Sequence, residues 1–213
     1  MKKIFVLIMF ILINMLFITP TLAYTSTGYK QFEDIEILYR DDVYLLINSS
    51  LKTKKKNLEQ VKWRFFGASV YVKHNKVKVK YKKFDAFSRS NKTNNTLEYD
   101  YTYRFTLDGE FNIDQTYTSA TDASAKIEIV NVSVEESIKN AIGSSISIGV
   151  MKEINYTITV DPHTKVTMYI TGDALLSQGA VKYYFFGIPI FKSNWEYIDV
   201  VTEYYEFYEE IYN

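Results

Sequence analysis

"LEYDYTYRFTLDGEFNI", residues 97–113, decides the fold class. Leu97, Tyr99, Tyr101, Tyr103, Phe105 and Leu107 fall on one face, and Glu98, Asp100, Thr102, Arg104 and Thr106 on the other. A period of two belongs to a strand with one dry and one wet face. Asp108-Gly109 follows, a dipeptide that favours a type I′ turn, and Phe111 and Ile113 resume the pattern. The stretch therefore predicts a β-hairpin.

Upstream, "VYVKHNKVKVKY" (70–81) predicts a second hairpin, with His74-Asn75 at its turn. Lys73, Lys76, Lys78, Lys80 and Lys82 form a candidate basic surface on it. A lysine row also keeps a strand edge from pairing with other chains. Further strands are expected at 43–47, 126–132, 145–160, 165–171, 180–186 and 197–208. Loops are expected at 92–95 and 171–179, and Asp161-Pro162 breaks the chain because proline cannot donate to a ladder. The basic run "SLKTKKKNLEQVKW" (50–63) is ambiguous, and one reading is a basic loop leading into one helical turn. "VKWRFFGASVY" (61–71) and "VKYYFFGIPIF" (181–191) share Val, Lys and Phe-Phe-Gly in register. Both read as strands with a glycine bend, joined in one sheet by the two ends of the chain.

Between the strands, Ser133 and Glu136 have capping-box spacing. Ile138, Ala141 and Ile142 share a helical face, and Gly143 stands where a left-handed cap would close it. This predicts one short helix at about 134–142. Around it, Val130, Val132, Val134, Ile146, Ile148, Val150 and Ile154 alternate mostly with small polar residues. That pattern suits a membrane hairpin, which needs roughly 9–11 residues per strand, and equally a half-buried soluble strand. Lys152 lies on the aliphatic face, where a lysine at bilayer depth costs about 2–4 kcal/mol, so it fits only an interfacial depth. The expected architecture is mainly β: an elongated antiparallel sheet or sandwich with long twisted strands and one short helix.

The N-terminus predicts export. Lys2 and Lys3 precede an apolar run, Ile4 to Ile18, and Thr21-Leu22-Ala23 offers a cleavage site. The mature chain, 213 minus 23 or 190 residues, is expected to form one secreted β-rich domain. With no cysteine, it has neither a disulfide framework nor a thiol for a lipid anchor. Net charge is zero overall but uneven. Residues 51–92 carry 14 Lys or Arg against Glu59 and Asp85, and residues 193–213 carry six acids and no base. The two segments either neutralise each other in the fold or leave a patch for anionic headgroups or polymers.

Catalysis finds little footing. His74 and His163 sit in predicted turns, and no nucleophile elbow, phosphate loop, dinucleotide fingerprint or calcium loop is present. Ser49 and Lys52 satisfy Ser-x-x-Lys without its partner motifs. No spacing compels a metal at Asp161, His163 and Asp173. No catalytic residue, cofactor or metal is expected, and no nucleic acid partner.

Residues 110–170, with a Ser/Thr-rich stretch, a long strand, a Pro-containing turn and "TKV" (164–166), resemble the central region of aerolysin-type β-pore-forming proteins of the epsilon-toxin group. They also resemble secreted Gram-positive proteins that carry the same order. The resemblance implies a secreted monomer that oligomerises and inserts a β-hairpin. Two functions are thus expected in competition: a secreted non-enzymatic binding protein, and an aerolysin-like pore former. The expected partners are membrane lipid, an anionic envelope polymer or a protein, including further copies of the chain.

Overall fold

The computed structural model describes residues 27–84, 86–106, 109–114, 124–144 and 151–212. The expected signal peptide lies outside them, as do Asp108, Ile146, Ile148 and Val150. The elements are β1 (Phe32–Ile37), α1 (Leu51–Glu59), β2 (Gly67–Lys83), β3 (Phe87–Asn91), β4 (Leu97–Thr106), β5 (Glu110–Ile113), α2 (Ser124–Ile142), β6 (Met151–Val160), β7 (Thr164–Phe185), β8 (Ile188–Val200) and β9 (Tyr204–Ile211). The protein is mainly β, and its described strand pairs are all antiparallel.

The 22-residue β7 is the spine. Its second half runs between β2 and β8, with β1 beyond β2 and β5 beyond β8, while its first half runs between β3 and β9. One face of the second half is dry against the N-terminal segment: Ala174, Leu176 and Ile198 pack with Val77, Val79 and Tyr81 under Tyr29, Phe32, Val43 and Leu45. The opposite face packs Val181, Phe191, Trp195 and Tyr197 under Val134, Ile138 and Ile142 of α2. The first half of β7 is covered by a separate two-stranded ribbon of β4 and β6. There Tyr99, Tyr101 and Tyr103 meet Phe87, Val166 and Met168.

That ribbon explains why the first hairpin does not form. The tyrosine face of β4 needs a cover, and it finds one by pairing with β6 along Leu97–Thr106 while β5 leaves to pair with β8. Nor does the chain turn at His74-Asn75. β2 is one 17-residue strand, and two register shifts, at Val72/His74 and His74/Val77, absorb the turn-forming residues as bulges.

The segment 171–179 is strand rather than loop. Its glycines mark close backbone approach: a Cβ on Gly172 would lie 2.0 Å from the Thr202 carbonyl oxygen, and one on Gly179 1.9 Å from that of Tyr71. Val43 and Leu45 are buried, but residues 43–47 hold no strand and Leu46–Asn48 is a single 3-10 turn.

Among the described residues two α-helices stand where one was expected. α1 is capped by Ser50, whose Oγ accepts from the Thr53 amide at 3.2 Å. α2 starts ten residues before the expected position and takes in the strand expected at 126–132. Ser133, the expected cap, lies inside it, and its carbonyl accepts from Ser137 Oγ at 2.7 Å. Gly143 does close the helix, at φ 62°, with Ser144 N donating to Lys139 O at 3.1 Å.

Polar groups are also buried under the N-terminal segment. Glu196, fully buried, accepts from Tyr29 Oη and from the Leu46 amide, each at 2.8 Å, and from Gln178 Nε2. Lys54 of α1 pairs with Asp114 at 2.9 Å beside it, both side chains largely buried.

Candidate functional site

Two of the five lysines of the candidate basic surface, Lys80 and Lys82, face acids. In the ladder Lys80 stands beside Glu36 and Asp173, and Lys82 beside Asp34. Lys82 also pairs with Glu33 at 2.9 Å and lies 4.1 Å from the Tyr169 ring centroid. Lys76 Nζ donates to the Gly143 carbonyl at 3.2 Å, a cation at the negative end of α2. Lys73 and Lys78 are exposed. The acidic tail contributes a buried pair, Lys83 with Glu203. Lys80 and Lys82 thus belong to a mixed-charge ladder, whereas Lys73 and Lys78 face solvent.

The candidate membrane segment is divided. Val130, Val132 and Val134 belong to α2, not to a strand; Val132 is exposed and Val134 buried against the sheet. Ile154 is half-buried in β6 opposite Tyr103. The alternation read as a strand at 130–134 is overridden because Val134, Ile138 and Ile142, four residues apart, give the helix an apolar stripe to bury.

The site that emerges lies instead where the two Phe-Phe-Gly segments meet. β7 turns into β8 through Phe186 and Gly187, and Phe185 pairs with Ile188. Both central residues have positive φ, 50° and 76°. That is the signature of a type I′ turn, whose first position prefers Asn or Asp. A phenylalanine there is a strained choice. Alongside, the chain from α1 enters β2 through Trp63, Phe65 and Phe66, and Gly67 pairs with Tyr184.

Trp63 Nε1 donates to the Gly187 carbonyl at 3.1 Å, and the Gly187 amide to the Phe65 carbonyl at 2.8 Å. The four phenyl rings pack edge to face: Phe66 lies 4.7 Å from Phe186 and 5.6 Å from Phe185, and Phe65 lies 5.7 Å from Phe186. Such contacts hold the cluster together, yet Trp63, Phe65, Phe66, Phe185, Phe186, Ile188 and Ile190 remain 47–67% exposed. Scattered exposed apolar residues are ordinary, but seven gathered at one apex mark an interaction site. The sequence carried the signal in its repeated Phe-Phe-Gly; only the pairing of β2 with β7 brings the two copies side by side.

Among the described residues no group of three or more His, Asp or Glu is placed to hold a metal ion. No described helix is long and apolar enough to cross a membrane.

No family model matches the chain, and no curated protein does. Among solved structures, it is similar to a Bacteroides vulgatus protein described as a candidate pore-forming toxin, at 11% identity and a TM-score of 0.22, over 66% of this chain and 56% of that one. A likeness that distant carries no argument for fold or function.

Proposed function

We propose that this is a secreted, non-enzymatic binding protein that docks on a lipid membrane surface through the Trp63–Phe186 tip. The observation that carries the proposal is the exposed aromatic apex built on a strained turn. Tryptophan and phenylalanine settle at the boundary of headgroups and acyl chains, where an apolar ring leaves water and an indole N–H stays near polar groups. A projecting apex suits insertion into that boundary, whereas small-molecule ligands favour concave sites. The turn is tied to its neighbour by the hydrogen bonds between Gly187, Trp63 and Phe65, so little ordering entropy opposes docking.

The chain has two tryptophans, one in the tip and one, Trp195, fully buried. Tryptophan emission therefore tests the reading directly. On adding phospholipid vesicles, Trp63 should shift to the blue while Trp195 serves as an unmoved background, and the protein should float with the vesicles. A Phe185→Ser/Phe186→Ser variant should lose both effects. Unchanged emission together with no flotation across lipid compositions would refute the proposal.

The pore-forming reading has a separate observation in its favour. Within 126–160, α2 lies over one face of the main sheet and β6 pairs outside it, so neither is one of its central strands. If this segment inserts, dye should leak from liposomes and a detergent-resistant oligomer should form. Binding without leakage leaves docking alone.

A further inference from the structure

We infer that the tip selects membranes rich in anionic phospholipid, through the paired lysines Lys182 and Lys192 behind the aromatic apex; this rests on the docking reading above. The ladder sets Lys182 of β7 directly opposite Lys192 of β8. Like charges in facing positions of an antiparallel pair repel and destabilise it. Two other ladder lysines stand beside acids, Lys80 with Glu36 and Asp173 and Lys82 with Asp34. Residues 60–72 and 180–195, which build the tip and its flanks, contain Lys62, Arg64, Lys182 and Lys192 and no Asp or Glu; they are bordered by Glu59 and by Glu196, which is buried.

Placement links the charges to the apex. Lys182 is three residues before Phe185, Lys192 two residues after Ile190, and Lys62 and Arg64 flank Trp63. Lys182 alternates onto the same face of β7 as Ala180, against which Leu58 of α1 and Val61 just beyond it pack. Lys62 follows Val61 and is exposed, as is Lys192. On α1, Lys52, Lys55 and Lys56 are exposed beside a single exposed acid, Glu59, so the helix adds net positive charge. Arg64 is tied inward, with Nη1 donating to the Ala68 carbonyl at 2.7 Å. The result is a basic collar around an apolar point. With its rings at the acyl boundary, the collar sits at the depth of the phosphates. There each cation gains about 1 kcal/mol from an anionic leaflet.

Flotation of the protein, expressed through a secretion pathway so that its N-terminus is processed as the cell does it, separates the possibilities. The vesicles are phosphatidylcholine alone, or phosphatidylcholine mixed with phosphatidylglycerol. The expected result is tighter binding to the mixed vesicles at low salt, fading as salt screens the charges. Lys182→Gln/Lys192→Gln should bind the mixed vesicles roughly 30-fold more weakly than wild type, two charges at about 1 kcal/mol each with 1.4 kcal/mol per tenfold, and leave binding to phosphatidylcholine unchanged. Its unfolding midpoint should not fall, since a repulsion has been removed. Equal binding of wild type to both vesicles, or salt-independent binding, overturns the inference and leaves docking standing. Competition by soluble polyphosphate with no preference between vesicles also overturns it, in favour of a wall polymer. Binding to neither vesicle defeats the docking reading itself.

Discussion

At the scale of single residues, function and stability pull apart at Phe186. A type I′ turn needs left-handed backbone at both central positions, which Asn-Gly supplies at low cost. Phe186 at φ 50° carries a strain of about 1–3 kcal/mol for a ring that stays 59% exposed. Phe186→Asn should therefore raise the urea midpoint, by a stability gain on the order of 1 kcal/mol, while weakening vesicle binding. A fall in stability would mean that the ring's contacts with Phe65 and Phe66 outweigh the strain. Gly179 presents the opposite case. Its absent side chain admits the Tyr71 carbonyl oxygen and the Trp195 ring, each closer to a would-be Cβ than contact allows. Gly179→Ala should cost about 3 kcal/mol by denaturant unfolding, the upper end of overpacking penalties, because backbone must move.

At the scale of elements, α2 is held on the sheet by a narrow stripe. Val134, Ile138 and Ile142 bury completely or nearly so, each one turn from the next, against Val70, Val72, Val181 and Trp195. Ile138→Ala should lower global stability by roughly 2–5 kcal/mol if the helix unfolds with the sheet. If it detaches first, the loss should appear as early hydrogen exchange in 132–144 with the sheet's unfolding midpoint unchanged. How far such elements were legible in the sequence follows from what each pattern reports. Period-two alternation reports a face to be buried, so β4, β6 and the outward lysines of β2 were readable. It does not report which strand will do the burying, so β4 was matched to β5 rather than β6. His74-Asn75 and 171–179 looked like turns because turn-forming residues also serve as bulges and close-approach glycines inside long strands. Valines at 130, 132 and 134 fit either period, and the stripe continuing through Ile138 and Ile142 decided for helix. The tip was half legible: its aromatic segments stood out, but their meeting depends on non-local pairing of β2 with β7 across more than a hundred residues.

At the scale of the whole molecule, the N-terminal segment and the sheet are joined through a buried carboxyl whose charge depends on pH. Glu196 lies under that segment, taking hydrogen bonds from Tyr29, Leu46 and Gln178. Burial disfavours its charged form and outweighs those bonds and the nearby Lys54, so its pKa is pushed up to about 7 from an ordinary 4.5. A carboxyl with a raised folded pKa binds protons more tightly in the folded state. Its contribution is therefore full below pH 4.5 and is lost as pH rises to about 7, a change on the order of 3 kcal/mol. His74 acts the other way: burial, with Lys73 nearby, lowers its pKa, so its contribution is lost as pH falls through the ordinary histidine range. The two can mask each other in wild type, and a variant is needed to separate them. Glu196→Gln keeps the shape and removes the titration. Relative to this variant, wild type should be more stable at pH 5 than at pH 8, with the gap closing between those values in urea unfolding. A gap that is the same at both pH values would mean that Glu196 stays ionised in the fold, and that Lys54 and its three hydrogen bonds match the cost of burial.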